Sequence, residues 1–280
     1  MAQSNLAIRL LTAAIVAPLL LTTLFMGPVW GWYAIVFVAS LVGASELFGM
    51  THPGDRVAQG VGIVTTGAVS LAVYFGSRDP RILLTTVSAV VIVGALTPLW
   101  RLGQIETAAL RILAGMAGPL YVGALVTTLA LLRRDMNGAG PGYVLFTLML
   151  SWLADTGGYF AGRYFGKTKL YEAVSPKKTR EGFAGSILGA VTGALLAHFW
   201  YLPSLPLVDG LVLALVGGTL GQLGDLAESL LKRSTGIKDS GSIVPGHGGI
   251  LDRIDALLVA SPIVYLYTVW AQGAGSPPGS

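Results

Sequence analysis

The chain has 280 residues, of which 53% are hydrophobic and only 11% are charged, and its mean hydropathy is +0.70. Soluble domains carry about 25% charged residues, so this composition excludes an ordinary water-soluble fold. The absence of cysteine from the sequence excludes disulfides, thiolate catalysis and cysteine-ligated metal centres. The sequence has no basic face with interleaved aromatic residues, which argues against a nucleic-acid partner.

Long apolar segments dominate the chain. A transmembrane helix needs about 20 mainly apolar residues, and nine segments meet this requirement, at about 8–27, 30–50, 58–76, 82–100, 110–132, 143–162, 183–201, 207–224 and 251–270. Segments of this length satisfy their backbone hydrogen bonds in lipid only as helices. We therefore predict an all-α, polytopic integral membrane protein with about nine transmembrane helices, the first of them an anchor rather than a removed signal.

The basic residues indicate how the chain is oriented. With the N-terminus in the cytoplasm, fourteen of the eighteen lysines and arginines fall on the cytoplasmic side. The positive-inside rule therefore predicts a cytoplasmic N-terminus and an external C-terminus. The polar residues divide the chain into a predicted N-terminal transmembrane bundle (1–135), a C-terminal catalytic region (136–272) and a disordered tail (273–280).

Paired carboxylates lie at two predicted helix ends on the cytoplasmic side. Asp225 and Glu228 are three residues apart at the end of the eighth span, with Ser229 on the same face. Asp252 and Asp255 have the same spacing in the predicted first turn of the ninth span, where the helix dipole favours negative charge. Oxygen ligands suit Mg²⁺, so we predict a magnesium site from Asp225, Asp252, Asp255 and Glu228.

Cations are interleaved with these acids. They include Lys177, Lys178, Arg180, Lys232, Arg233, Lys238 and Arg253. Each of these cations, taken alone, is explained by the positive-inside rule or by contact with anionic lipid. Dense mixing of carboxylates and cations is instead typical of phosphoryl or nucleotidyl transfer.

A glycine-rich turn precedes the ninth span. Gly248 and Gly249 follow His247, and backbone N–H groups in such a turn can approach a phosphate. His247 itself could bind phosphate, donate a proton or make a structural hydrogen bond. Zinc is not expected, because no histidine partner or cysteine lies nearby.

Glu46 is the one acid within the first five predicted spans. It could line a polar cavity, or it could reach lipid headgroups from its position near the end of the second span. Acids near span ends reach water at little cost, so we favour the headgroup interpretation.

The segment from Ser229 to Asp255 resembles the signature of the phosphatidate cytidylyltransferases, the CDP-diacylglycerol synthases. It matches the fixed positions of that signature at Ser229, Lys232, Arg233, Lys238, Asp239, His247, Gly248, Gly249, Asp252, Arg253 and Asp255. Val244 stands where the family usually has Leu, Ile or Phe. The stretches Asp155-Thr-Gly-Gly-Tyr159 and Ser175-Pro-Lys-Lys-Thr179 also resemble family motifs, so the resemblance covers about the C-terminal half.

The resemblance implies conversion of CTP and phosphatidic acid into CDP-diacylglycerol and pyrophosphate, with Mg²⁺, with or without a second cation, and a homodimer. It implies catalytic roles for Asp225, Asp252, Lys232, Arg233, Asp255 and His247. It implies substrate-binding roles for Ser175, Lys177, Lys178, Thr179, Ser229, Lys238, Asp239, Gly248, Gly249, Arg253 and Asp155. The expected location is the bacterial inner membrane, with the site facing the cytoplasm.

Three other functions remain open. A CTP-dependent polyprenol or phytol kinase would use similar carboxylates and cations but would release CDP. A transporter would carry ions on intramembrane acids and would place such acids in corresponding spans of an inverted repeat, which the sequence lacks. A purely structural membrane protein would leave the acids near the bilayer without a purpose.

Overall fold

A computed structural model describes residues 2–243 and 248–273, with side chains from Ala14 onward. His247 and the predicted tail beyond Gly273 lie outside the described residues. Within these ranges the regular secondary structure is helical apart from one two-stranded hairpin. The predicted all-α, polytopic membrane architecture is confirmed.

The α-helices follow one another with short connections. Their bounds are α1 Ala2–Met26, α2 Val29–Thr51, α3 Arg56–Gly76, α4 Pro80–Trp100, α5 Ala108–Gly118, α6 Leu125–Asp135, α7 Gly140–Phe165, α8 Arg180–Leu196, α9 Leu207–Ser234, α10 Leu251–Ile254 and α11 Leu257–Gln272. A wider π turn, Pro119–Ala124, joins α5 to α6, and Pro119 lacks the N–H that an α-helix would use there.

Seven helical segments among the described residues are long and apolar enough to cross a membrane. They are Val29–Thr51, Arg56–Gly76, Pro80–Trp100, Ile105–Asp135, Asn137–Phe165, Arg180–Tyr201 and Leu207–Ser234. Two further apolar helices, Ala14–Met26 and Leu257–Gln272, are shorter. The exact count of nine spans therefore stays a prediction.

The chain forms two compact units. The first unit contains residues 1–130 and 235–254, and the second contains residues 131–234 and 255–280. The predicted catalytic residues are thereby distributed over both units.

Buried polar contacts join the helices of the first unit. The indole N–H of Trp32 in α2 donates to the carbonyl of Leu129 at 3.2 Å. Ser70 in α3 bonds to Thr127 at 2.7 Å and to the Tyr33 hydroxyl at 3.4 Å. These contacts satisfy hydroxyl groups that would otherwise be buried at a cost, and they fix α2, α3 and α6 against one another.

Glycines bring α7 and α8 of the second unit together. A Cβ on Gly157 would overlap the carbonyl of Gly185, and a Cβ on Gly189 would overlap the carbonyl of Leu153. Close backbone approach through small residues is typical of membrane helices. It places Asp155, on α7, between these two contacts with the middle of α8.

The helix α9 is longer than its predicted span. It continues to Ser234 and contains 28 residues, which make a helix about 42 Å long. The hydrocarbon core is about 30 Å thick, so the last turns, with their acids and bases, extend beyond the apolar part of the helix.

Two predictions of local structure are wrong. Residues predicted as a loop form the antiparallel strands β1 Lys169–Tyr171 and β2 Ser175–Thr179. The ninth predicted span is also interrupted, because α10 ends at Ile254 and α11 begins at Leu257. Asp252 therefore lies in α10, whereas Asp255 lies in the break, so the two acids do not share the first turn of one helix.

Candidate active site

A cavity of about 360 Å³ in the second unit collects many of the predicted site residues. The helices α7, α8 and α9 and the hairpin form its walls. Its charged and hydroxyl-bearing lining includes Asp155, Tyr159, Arg163, Lys177, Lys178, Thr179, Ser186 and Asp225. The glycines Gly158, Gly162 and Gly182, on α7 and α8, also line it.

An ion pair joins the hairpin to α9 inside this cavity. The ammonium nitrogen of Lys178, on β2, lies 2.7 Å from Oδ2 of Asp225. Each side chain is 25% exposed, although the ammonium nitrogen of Lys178 is itself buried. Asp225 also accepts a hydrogen bond from the Ser229 hydroxyl one turn later, at 3.5 Å, which confirms that the two residues share a helix face.

The hairpin is held in place by the start of α8. The hydroxyl of Thr179 accepts a hydrogen bond from the Gly182 N–H at 3.1 Å and caps the helix. The carboxylate of Glu181 accepts hydrogen bonds from the N–H groups of Lys167 and Thr168, just before β1. Ser175 begins β2 opposite Tyr171, and its predicted role in substrate binding stays a prediction.

Asp155 is positioned by a residue that the sequence analysis missed. The side-chain amide of Gln222, on α9, donates to Oδ1 of Asp155 at 2.8 Å. Gln222 precedes Asp225 by three residues, so both lie on one face of α9. That spacing could have identified Gln222 as part of the same polar face.

Asp255 lies against the acidic face of α9. Its backbone carbonyl is close to Gly224, where an added Cβ would come within 3.2 Å. The carboxylates of Asp225 and Glu228 are close enough to repel that of Asp255. Negative charge is therefore in excess at this place, which favours a proton or a cation.

The basic residues at the end of α9 have partners within the second unit. Lys232 lies 2.8 Å from Oε2 of Glu228, a side chain that is almost fully buried. The Nε–H of Arg233 donates to the carbonyl of Val174, in the hairpin turn, at 3.3 Å. Arg233 is thus held at the hairpin and Lys232 is paired within α9, and their predicted contact with phosphate stays a prediction.

The remaining signature residues belong to the first unit. Lys238, Asp239 and Arg253 are exposed. Oδ2 of Asp252 accepts hydrogen bonds from the N–H groups of Ser240 and Gly249, both at 3.0 Å. Asp225 and Asp252 therefore belong to different units, and their predicted sharing of one metal ion stays a prediction.

The headgroup interpretation of Glu46 is wrong. Its side chain is 6% exposed, and it accepts hydrogen bonds from the Ser240 hydroxyl and from the N–H groups of Ile250 and Leu251. Glu46 therefore holds the segment that carries part of the signature. The signal in the sequence was an acid inside an apolar run, and such acids usually have a defined partner.

Comparison with known proteins gives the site a context. Residues 7–271 match the sequence profile of the Cytidylyltransferase family. A phosphatidate cytidylyltransferase of Bacillus subtilis strain 168 is 43% identical over 132 residues, which are 47% of this chain and 49% of that relative. A phosphatidate cytidylyltransferase of Brucella melitensis biotype 1 is 41% identical over 158 residues, which are 54% of this chain and 55% of that relative.

A third relative, a phosphatidate cytidylyltransferase of Staphylococcus epidermidis, is 43% identical over 135 residues, or 48% of this chain and 52% of the relative. The chain thus spans about half the length of the curated relatives that it matches. The family profile, in contrast, covers the chain almost from end to end. The chain therefore belongs to the cytidylyltransferase family.

Proposed function

We propose that this protein transfers the cytidylyl group of CTP to phosphatidic acid and so produces CDP-diacylglycerol and pyrophosphate. The observation that carries this proposal is the ion pair between Lys178 and Asp225 in the cavity of the second unit. In this pair, Lys178 supplies a cation that can bind a phosphate, and Asp225 supplies a carboxylate that can bind a metal ion. The names of the three relatives support the choice of substrates.

Both substrates are polyanions, and the cavity is suited to them. Lys177 and Lys178 reach it from β2, and Arg163 reaches it from α7. Charge-assisted hydrogen bonds from such groups to phosphate oxygens are stronger than neutral ones. The cations would therefore reduce the repulsion between the triphosphate and the lipid phosphate.

The reaction needs little acid–base chemistry. An oxygen of the lipid phosphate, whose second pKa is about 6, is already ionised near neutral pH. It attacks the α-phosphorus of CTP, and the bond from that phosphorus to the α–β bridging oxygen breaks. The electron pair leaves with pyrophosphate, so the side chains mainly orient the two phosphates and stabilise the leaving group.

Magnesium fits the oxygen donors of this chain. The described residues contain no group of three or more acidic or histidine side chains close enough to enclose a metal ion. However, Mg²⁺ usually takes one or two carboxylates together with substrate phosphates. Asp225, Asp252, Asp255 and Glu228 would hold it, and it would supply positive charge to the phosphoryl oxygens.

The membrane location, the side of the membrane that the cavity faces and the oligomeric state belong to the same proposal. The basic residues and the bacterial relatives support an inner-membrane location with the cavity facing the cytoplasm, where CTP is available. The family resemblance supports a homodimer. Crosslinking in intact membranes, followed by sizing, tests the homodimer independently of activity.

The proposal is tested by incubating purified protein in lipid nanodiscs with CTP, phosphatidic acid and Mg²⁺. We expect CDP-diacylglycerol and pyrophosphate in equal amounts, and little product when ATP replaces CTP. Release of CDP with a newly phosphorylated lipid would instead identify a lipid kinase. Comparable turnover with ATP would contradict the preference for cytidine.

A further inference from the structure

Glu46 makes three hydrogen bonds to a segment about two hundred residues away. Oε2 accepts from the Ser240 hydroxyl at 3.0 Å and from the Leu251 N–H at 2.8 Å, and Oε1 accepts from the Ile250 N–H at 3.0 Å. All four residues belong to the first unit. A carboxylate buried in α2 would be costly without such donors, so these contacts are what allow the acid to lie there.

Ser240 connects Glu46 to Asp252. While its hydroxyl donates to Glu46, the same oxygen accepts from the Asp252 N–H at 3.4 Å. Its own N–H donates to Oδ2 of Asp252 at 3.0 Å, and the Gly249 N–H donates to that oxygen as well. Glu46, Ser240 and Asp252 therefore form one hydrogen-bonded network, which we call the Glu46 clamp.

Two glycines make room for this network. A Cβ on Gly249 would overlap both the Glu46 carboxylate and the Ser240 hydroxyl, and a Cβ on Gly241 would overlap Oε1 of Glu46. Gly248 also adopts a φ of +84°, in the left-handed region that favours glycine. The sequence predicts that Gly248 and Gly249 let a phosphate approach the backbone, but at Gly249 the clamp itself excludes a side chain.

We propose that Glu46 is a positioning residue that acts through Asp252. By holding Ser240, Ile250 and Leu251, it fixes the turn that orients the Asp252 carboxylate. This inference rests on the proposed function, in which Asp252 binds the metal ion and its phosphates. It adds a residue from the N-terminal half of the chain, where the signature has none.

The kinetic test compares Glu46→Gln with Asp252→Asn. The amide of Gln keeps the shape but loses one acceptor oxygen, so Asp252 should become less well oriented. We expect kcat to fall about 100-fold, the KM for CTP to change less than about threefold, and the Mg²⁺ concentration for half-maximal rate to rise about tenfold. The double variant should be no slower than Asp252→Asn alone, because both changes affect one unit.

A second test does not depend on activity. The N–H groups of Ser240, Gly249, Ile250 and Leu251 are hydrogen-bonded in the clamp. Hydrogen–deuterium exchange followed by mass spectrometry should therefore become faster in peptides covering 238–253 when Glu46 is replaced by Gln. Exchange in peptides covering α7 should stay unchanged.

Two further variants control for folding and charge. Ser240→Ala removes the hydroxyl between Glu46 and Asp252 but leaves the two backbone donors of Glu46, so it tests the same link with a smaller perturbation. We expect kcat to fall about tenfold. Glu106→Gln removes an exposed carboxylate of the same unit and should leave both kinetics and exchange unchanged.

The outcomes separate this inference from the proposed function. Faster exchange together with wild-type kcat and Mg²⁺ dependence in Glu46→Gln would mean that the clamp is merely structural, and would overturn the inference. Unchanged exchange in the 238–253 peptides would overturn it as well. Absence of CDP-diacylglycerol synthesis in the wild-type protein would overturn the proposed function, and that result is seen before any variant is made.

Discussion

Lys178 and Asp225 approach to 2.7 Å although one lies on a short strand and the other on a long helix. The approach depends on the hairpin that precedes α8, because β2 carries Lys178 to the wall of the cavity. The pair is partly exposed, so its own contribution to stability is small. We propose that a substrate phosphate takes the place of the Asp225 carboxylate beside Lys178.

Replacing Lys178 by Met keeps the aliphatic part of the side chain but removes the cation. We expect kcat/KM for CTP to fall about 100-fold, because a phosphate contact would be lost. Steady-state kinetics of the wild type and the variant in lipid nanodiscs measure kcat/KM for CTP. Lys167→Met is the matched control, since Lys167 is an exposed cation just before the same hairpin and should change the rate less than about twofold. Equal rates for the two variants would contradict a phosphate contact by Lys178.

Replacing Thr179 by Ala removes the cap of α8. Loss of such a cap costs about 1 kcal/mol, and we expect the melting temperature in detergent to fall by about 2–4 °C. Thr179→Ser keeps the oxygen and should melt like the wild type. If Thr179→Ala loses activity without any loss of stability, Thr179 contacts substrate rather than serving mainly as a cap.

Acidification should destabilise the first unit through His52. Burial and, to a smaller extent, the nearby Arg111 lower the pKa of His52 to about 4, although Asp55 acts in the opposite direction. The unfolded chain takes up this proton near pH 6.5, but the folded chain does not until about pH 4. Stability that depends on neutral His52 is therefore lost as the pH falls from about 6.5 to about 4.

The carboxylate beside His52 does not titrate in that range. Burial would raise the pKa of Asp55, but the N–H of Ala58 and the guanidinium groups of Arg101 and Arg111 outweigh this effect and lower it. Melting temperatures of the wild type and of His52→Gln between pH 7.5 and 4.5 test the prediction. The melting temperature of the wild type should fall more over this pH range than that of the variant. Parallel plots of melting temperature against pH would refute the prediction.

The chain lacks cysteine. A single cysteine introduced at a chosen position can therefore be labelled to report the topology, without background from native cysteines. We expect an impermeant thiol reagent to label Ser280→Cys but not Ser4→Cys in intact cells, because nine spans place the two ends on opposite sides. Arg78→Cys is the external control and Glu106→Cys the cytoplasmic one. Equal labelling of Ser4→Cys and Ser280→Cys would rule out an odd number of spans.

Local periodicity explains which parts of the site were predictable. Asp225, Glu228 and Ser229 lie within five residues of one helix, so their shared face follows from spacing alone. The ion pair between Glu228 and Lys232, which was not predicted, follows from the same kind of spacing, because the two residues are four apart on α9. The helices themselves follow from apolar length, because lipid leaves the backbone no other way to satisfy its hydrogen bonds.

Contacts between distant parts of the chain were not predictable in this way. The hairpin was missed because β2 is short and contains Pro176, and because the carboxylate of Glu181 holds the residues just before β1 from a distance of 13 or 14 residues. The break at Asp255 was missed because the apolar run continues through it. Glu46 was misinterpreted because its partner Ser240 lies 194 residues away, and no periodicity within α2 can indicate such a partner.

The last prediction concerns the metal ion. We expect Asp225 and Asp252 each to supply a carboxylate to Mg²⁺, because Asp252 is a signature residue, Asp225 lies four residues before the signature, and Mg²⁺ needs few protein ligands when phosphates complete its shell. Replacing either by Asn keeps the shape but removes one negative charge. Each change should lower the rate about 1000-fold, which corresponds to about 4 kcal/mol of transition-state stabilisation.

The double variant distinguishes a shared metal ion from two independent ion pairs. If Asp225 and Asp252 act as one unit, Asp225→Asn/Asp252→Asn should be little slower than either single variant, and all three should need more Mg²⁺. If Asp225 serves only to pair with Lys178, its replacement should lower stability but leave substantial turnover with wild-type Mg²⁺ dependence. Asp79→Asn, at an exposed acid that caps α4, controls for the loss of one charge. Near-wild-type activity in either single variant would remove the metal assignment, and independent, multiplicative losses in the double variant would mean that the two carboxylates do not share an ion.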